Sequence, residues 1–413
     1  MTNKGKENTQ EIRNPLPQGL LTGVRVLDIA SVLAAPFATS LLGDFGADVI
    51  KVEQPGVGDS MRNLGPFYQG TSLWFTVTSR NKKSVTLDMR KTKGQEVIKE
   101  LVGISDVVAE NFRPGTLEEW NLGFDIFKKV NPRIVMLSIS GYGQTGPYRE
   151  KAGFGMTCQA FSGLTYISGY PDKPPLNPAF SLADYVSGIF GAFSIMTALY
   201  RRDALGGNAG QQIDLGLYEA IFRMMEFLPA EYQKLGRVRE RTGHPVGAMP
   251  VNIYETSDGR WMALTCSTDR VFIRLAQAMG EPELAKDPRF DTNPRRVENG
   301  EAINSIVAKW VKDRTFQQAQ RELDEAGVPI SLVCSIADIF ENLQYKAREN
   351  IIEVEDPVIG PVKMPGVVPK FSLNPGRVIS TAPILGQHND EIYGTLLGYS
   401  QEQIALLKAE GVI

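Results

Sequence analysis

The 413-residue sequence contains only two histidines and three cysteines. With His244 and His388 as the sole imidazoles, a reaction needing a histidine base has few places to find one, and a carboxylate or a lysine must be considered instead. Each stands among turn residues, in GHP and GQHND, where a loop or capping role is the ordinary reading. Cys158, Cys266 and Cys334 lie far apart in no metal-ligand spacing, so they read as reduced thiols of a cytoplasmic protein, and no metal site is expected. An excess of charge of either sign is also missing. A net charge of -3 with 22% charged residues provides no global field for nucleic acid or an anionic membrane, so an anionic ligand would need a local basic patch. The longest apolar stretch, Tyr185 to Tyr200, is broken by Ser187, Ser194, Thr197 and two glycines. It falls short of the roughly 20 residues a bilayer demands, so a buried helix is expected and not a membrane span. Glycine-rich phosphate loops are missing as well: VRVLDIA runs into SVLAAP, without the G-x-G-x-x-G that brings a backbone against a pyrophosphate. There is no Walker-type loop and no G-x-S-x-G elbow, which removes the commonest nucleotide-triphosphate and serine-hydrolase readings.

What is present is a regular alternation. VRVLDIA, ADVIKVE, SVTLDM, SDVVAEN and RIVMLSIS are five β-branched runs between Val24 and Ser140, with helical stretches between them such as Pro36 to Phe45 and Lys91 to Val102, and Pro114 opening PGTLEEWNLGFDIFKKV. This is the pattern of an α/β protein with a parallel, doubly wound, Rossmann-like sheet. The first 19 residues are polar, of mixed charge and without an apolar signal core, and read as a flexible extension. Residues 20–225 form the expected large domain, which includes a helix from Asp184 to Arg202 and a further strand-to-helix unit in QQIDLGLYEAIFRMMEFL. The texture changes over 240–330, where VNIYETSDGRWMALTC reads as a hairpin turning at Asp258-Gly259 before amphipathic helices, so a smaller α+β domain is expected there. Residues 331–413 read as a return to the large domain.

Several residues could carry chemistry. Arg80 and Lys82, Arg113 and Lys151 stand near strand ends, where the loops of a parallel sheet converge and cations could meet phosphates, although each alone reads as a surface charge. Glu53 ends a strand and reads as a solvated loop residue. Asp184 opens the long apolar helix, which suggests capping. Amide donors and the positive helix end would also keep its carboxylate ionised and available as a nucleophile. The glycines of SGYGQTGPY and of RTGHPVGAMP are either turns or backbone donors beside a reacting group.

Taken in order, GVRVLDIASVLAAPFAT, GDFGADVIKVEQPGVGD, RNKKSVTLDM with ENFRPG, SLADYVSGIFGA and LGQHNDEI resemble the family III CoA-transferases, the group of formyl-CoA transferase and carnitine CoA-transferase. The likeness runs from Leu20 to Ile413. It implies an interlocked dimer, each chain having a large Rossmann-like and a small domain, and a reaction that moves CoA between carboxylic acids. Asp184 matches the family's catalytic aspartate, which carries CoA as an aspartyl thioester. The family's CoA contacts match Leu33 and Ala34, Thr78, Ser79, Arg80 and Asn81, Asn111, Phe112 and Arg113, and Lys151. A substrate loop matches Gly243, His244 and Gly247. Coenzyme A enters as a thioester substrate such as succinyl-CoA, and no permanently bound cofactor is implied. Two departures stand out. GHPVGAMP replaces the run of glycines that closes over formate or oxalate, which points to a larger organic acid, and Gln54 stands where formyl-CoA transferases have an arginine. The related α-methylacyl-CoA racemases carry a G-H-D motif where this chain has Gly153-Phe154-Gly155, so a two-base racemase lacks one base. The remaining alternative is a non-catalytic CoA-binding subunit paired with a paralogous active chain in a heteromer, against which the presence of Asp184 weighs.

Overall fold

The β-branched runs pack as strands buried on both faces, which only a sheet covered on two sides can satisfy. In the computed structural model, which describes residues 19–244 and 247–413, these are β1 (Arg25–Asp28), β2 (Asp48–Glu53), β3 (Lys82–Thr86), β4 (Val107–Glu110) and β5 (Val135–Ser140), joined by β6 (Gln212–Gly216). All neighbours pair in parallel, in the order β3-β2-β1-β4-β5-β6. This is the doubly wound Rossmann order, with its switch point between β1 and β4. The expected extension falls, except for Gly19, outside the described residues.

Helix α1 (Ala34–Asp44) covers one face of the sheet, together with a later 22-residue helix, Leu182–Asp203. The other face carries α2 (Thr92–Gly103), α3 (Phe124–Val130) and the C-terminal helix Gln401–Ala409. The segment expected to start as one helix at Pro114 is two pieces, Thr116–Glu119 and α3. Asn121, at φ +55°, takes the left-handed conformation that ends the first. The long helix is less buried than its apolar sequence suggested. At 22 residues it is long and apolar enough to cross a bilayer by length and composition, yet its inner side meets the sheet. Gly188 approaches the Ala34 carbonyl and Phe37, and Gly191 approaches Leu137, so closely that a Cβ would overlap them. Its outer side exposes Ile189, Phe193, Met196 and Tyr200.

The edge strand β3 is not left open. His388 N donates to the Ser84 carbonyl (2.9 Å), Ser84 N donates to His388 Nδ1 (3.1 Å), Thr86 N donates to Asn389 Oδ1 (2.9 Å), and Tyr393 OH donates to the Thr86 carbonyl (2.7 Å). The LGQHNDEI segment thus occupies the place of a further strand.

The chain divides into two compact units. One comprises the described residues up to Leu164, then 178–229 and 349–413; the other comprises 165–177 and 230–348. The second is an α+β unit with an antiparallel sheet of β7 (Val251–Glu255), β8 (Trp261–Thr265) and β9 (Ile330–Leu332), the first two joined through the turn at Gly259. Its core includes Phe272, Phe290 and Val307. The return to the large unit therefore begins at 349, later than 331, because β9 is still a strand of the small sheet.

Candidate active site and coenzyme cleft

At the switch point the chain ends of β1, β2, β3 and β4 surround a cavity of about 470 Å³, lined among others by Ala30, Ser31, Gln54, Asp88, Arg90, Phe112 and Trp120. Asp59, which also lines it, belongs to a buried ion network. Lys51 Nζ lies 2.7 Å from Asp59 and 4.0 Å from Asp28, and Lys82 Nζ lies 2.7 Å from Asp28, all four side chains being essentially inaccessible. Burial alone would push the Asp28 carboxyl up, but the charges of Lys51 and Lys82 win and hold it below the usual carboxylate range. The network fixes the loop after β1. Lys51 Nζ donates to the Ala30 carbonyl (3.1 Å), and Asp59 accepts from the amide of Val32 (3.0 Å), which sits at φ +62°, a costly conformation for a β-branched residue. Asn111 clasps the same loop, donating to the Ser31 carbonyl and accepting from its amide. Two readings change accordingly. Lys82 is a buried ion-pair partner and not a surface charge, and Glu53 is no solvated loop residue: it is 4% exposed and takes two 2.7 Å bonds from Arg62.

The long helix, α5 in chain order after α4 (Gly155–Phe161), positions Asp184. It starts at Leu182 behind Ser181, so Asp184 is its third residue and not its cap. Nor is the carboxyl held more acidic than usual. Burial pushes it up to about 6, outweighing its own backbone hydrogen bond, and among the described residues no cation pairs with it. One oxygen lies against α4: a Cβ at Gly155 would stand 2.2 Å from Asp184 Oδ2. Cys158, one turn along α4, has its thiol pushed up to about 11, chiefly by burial, with the charge of Asp184 adding to the rise and Lys151 opposing it. Next to Asp184, Tyr185 packs edge-on against Phe37 (4.8 Å between ring centres), accepts a hydrogen bond from Trp74 Nε1 (3.2 Å), and joins the Leu33, Met61 and Phe75 cluster. The first turn of α5 thereby rests on the loop whose other side lines the cavity.

The remaining expected residues divide into groups. Leu33 and Ala34 are buried at the start of α1. Phe112 lines the cavity, edge-on to Trp120. Arg113 reaches across to donate to the Glu150 carbonyl, beside Lys151. Thr78, Ser79, Arg80 and Asn81 are not among the cavity's lining. Arg80 pairs with Asp44 (2.6 Å), and Asn81 accepts from the amide of Ile379 and donates to Asp44 and the Arg377 carbonyl, so these two side chains clamp the returning C-terminal segment. Gly243, His244 and Gly247 lie in the small unit, and the intervening Pro245 and Val246 fall outside the described residues. Gly243 (φ +75°) lies so close to the Tyr170 ring that a Cβ would stand 2.5 Å from it. The His244 carbonyl accepts from Thr242 Oγ1, and the Gly247 carbonyl accepts from Asn293. Sequence reasoning missed Arg90, a cavity-lining cation paired with Asp88 (2.8 Å). Its place just past the SVTLDM strand, on the crevice side of a parallel sheet, was the available signal.

The structure thus joins a Rossmann-type sheet with a cleft at its switch point to a half-buried carboxylate that no cation pairs with among the described residues. The family model for CoA-transferase family III matches residues 21–389. The chain is 46% identical to the succinyl-CoA--D-citramalate CoA-transferase of Chloroflexus aurantiacus, covering 97% of this chain and 99% of that one. It is 42% identical to the succinyl-CoA--L-malate CoA-transferase beta subunit of the same organism (95% and 98% covered). Among solved structures it matches a CAIB/BAIF family protein from Brucella suis with a TM-score of 0.81 at 33% identity, over 92% of this chain and all of that one. The chain belongs to CoA-transferase family III and is a CoA-transferase.

Proposed function

We propose that the enzyme moves CoA from succinyl-CoA to a dicarboxylic or hydroxy-dicarboxylic acid through an aspartyl thioester on Asp184. The observation that carries this is the Asp184 carboxyl itself, a half-buried acid set against α4 with no cation paired to it among the described residues, pushed up to about 6. At pH 7 it is ionised roughly ten to one, yet it is a stronger nucleophile than an ordinary surface aspartate. The carboxylate attacks the donor thioester carbonyl, forming a C–O bond as the C–S bond breaks, and CoA thiolate leaves a mixed anhydride. The thiolate attacks the aspartyl carbonyl and expels succinate, which leaves CoA on Asp184. The acceptor carboxylate reverses the two steps. Each step exchanges one nucleophile for another at a carbonyl, so electrons and protons balance without a redox partner. The donor and the acceptor class are supported by the relatives, whose names specify succinyl-CoA with citramalate, malate or, in a 34% identical mouse protein, glutarate.

The adenosine end of CoA belongs, on this reading, in the cavity between Phe112, Trp120 and Arg90, with Arg113 and Lys151 on the path towards Asp184. Arg80 and Asn81 act through the scaffold. The protein works as a cytoplasmic dimer, supported by the exposed apolar face of α5. A heteromer is the second reading, favoured by relatives named as alpha and beta subunits of one malate enzyme. Incubation with succinyl-CoA, quenching with hydroxylamine or borohydride and peptide mass analysis test the proposal. Modification at Asp184 is expected, and an unmodified Asp184 alongside retained CoA binding would hand the lead to a silent subunit.

A further inference from the structure

Lys151 follows the SGYGQTGPY loop and ends in an unusual setting. Its ammonium lies 4.9 Å from the centre of the Tyr148 ring and 5.4 Å from that of Tyr142. The two rings meet edge-to-face at 5.8 Å, and both contact Phe161 in the same manner, at 5.8 and 5.3 Å. Tyr142 is buried and also approaches Tyr218, so the inner wall of this pocket is fixed by the core, while Tyr148 is half-exposed and forms the outer wall. No carboxylate is bonded to Lys151 among the described residues. A free lysine side chain carries considerable rotamer entropy, and an acid would hold it still only by consuming its charge. Aromatic faces hold it through the ring quadrupole and leave the full positive charge directed outwards.

We propose that Tyr142 and Tyr148 form an aromatic clamp that pre-positions Lys151 for an anionic oxygen of coenzyme A, with Tyr148 as the positioning residue that can be altered without disturbing the core. This rests on the reading of Lys151 as a CoA ligand. The neighbouring chain supports it. Arg113 donates to the Glu150 carbonyl, so the backbone beside Lys151 is anchored to the β4 end of the cleft. The ammonium is also near enough to Cys158 for its charge to oppose the rise of that thiol. A clamped lysine binds an anion with less ordering cost than a free one, so the clamp raises CoA affinity without itself touching the ligand.

The test is calorimetric titration of the full-length protein with coenzyme A itself, on wild type, Lys151→Ala, Tyr148→Leu, Tyr148→Phe and the Lys151→Ala/Tyr148→Leu double variant, with thermal melts alongside. Losing the lysine should weaken binding roughly tenfold or more, as loss of a charge-assisted bond does. Tyr148→Leu should weaken it roughly two- to fivefold, and Tyr148→Phe, which keeps the ring, should bind like wild type. The double variant should be no weaker than Lys151→Ala, because a clamp with nothing to hold has no effect. If Lys151→Ala binds CoA normally, the assignment of Lys151 to CoA fails, and the clamp with it. If Lys151→Ala is weak while Tyr148→Leu is normal, or while Tyr148→Leu and Tyr148→Phe are equally weak, the clamp alone is overturned. Should the leucine variant unfold, Tyr148→Gln replaces it in the same comparison.

Discussion

Replacing Gly155 by alanine adds one methyl group, and adds it where the Asp184 carboxylate stands. The 2.2 Å between that Cβ and Oδ2 is more than 1 Å inside the contact distance of about 3.5 Å. One side has to move. Helix α5 cannot retreat, because Gly188 and Gly191 already press on α1 and β5 with no space for even a Cβ. The displacement therefore falls on the Asp184 side chain or on the first turn of α4, by about 1 Å. A misplacement of that size in a reacting group costs about 100-fold in rate. The variant should fold, with a melting point within a few degrees of wild type, and should bind CoA normally, since the cavity at the switch point is untouched. The assay is steady-state turnover of succinyl-CoA with citramalate, malate or glutarate as acceptor, followed by chromatography of the CoA esters. Hydroxylamine trapping at Asp184 serves as the single-turnover readout. The expected outcome is a fall in kcat of about 100-fold with little change in the dissociation constant for CoA. If kcat stays within about threefold of wild type, the carboxylate does not need the place the structure gives it, and its assignment as the nucleophile is refuted.

The raised Asp184 carboxyl makes a second prediction, for which the sign matters. A folded value of about 6 against an ordinary 3.8 means the fold disfavours the anion. The resulting cost is absent below pH 3.8, grows up to pH 6 and is complete above it, at about 1–2 kcal/mol after allowance for partial solvent access. Asp184→Asn should therefore abolish turnover yet raise stability at pH 7 by that amount and not at pH 3.5, as urea melts at the two pH values would show. Wild-type kcat should fall as pH drops through 6, and a flat profile down to pH 5 would contradict it. Asp59→Asn leaves Lys51 with its closest buried partner gone and should destabilise by about 3 kcal/mol in urea unfolding; a loss below 1 kcal/mol would show the network to be dispensable. If the proposed dimer forms through the exposed face of α5, Phe193→Glu should leave the fold intact but lower the mass in sedimentation analysis to that of a monomer, and an unchanged mass would contradict that interface.

The parallel sheet was legible because its strands are short β-branched runs separated by helical stretches, and QQIDLG announced the sixth. Asp184 stood out only through family resemblance, since an acid in the first turn of a helix ordinarily has an electrostatic duty there. Its raised pKa comes from neighbours far away in sequence, which no local pattern reveals. The same holds for Lys82, whose partner Asp28 is brought to it by strand order, whereas Glu53 meets Arg62 where the chain turns back nine residues after β2. The exposed side of α5 was misread as buried because composition reports how apolar a helix is and not how many of its sides are covered. Arg80 and Asn81 were grouped with the CoA contacts through family resemblance, and their bonds to Asp44 and to residues 377–380, nearly three hundred residues away, are invisible to any local pattern.

That separation has a consequence for how the protein is made. The strand edge at β3 emerges early in synthesis, but the residues that cover it, from Ile384 to Tyr393, are among the last thirty of the chain. Until then the nascent large unit exposes an unpaired edge able to pair with another nascent chain, and its Asn81 lacks its partners at 377–380. A ribosome stalled before the LGQHNDEI segment would hold a sheet ready to aggregate, and shortening the protein by thirty residues should yield inclusion bodies in place of a slightly smaller enzyme.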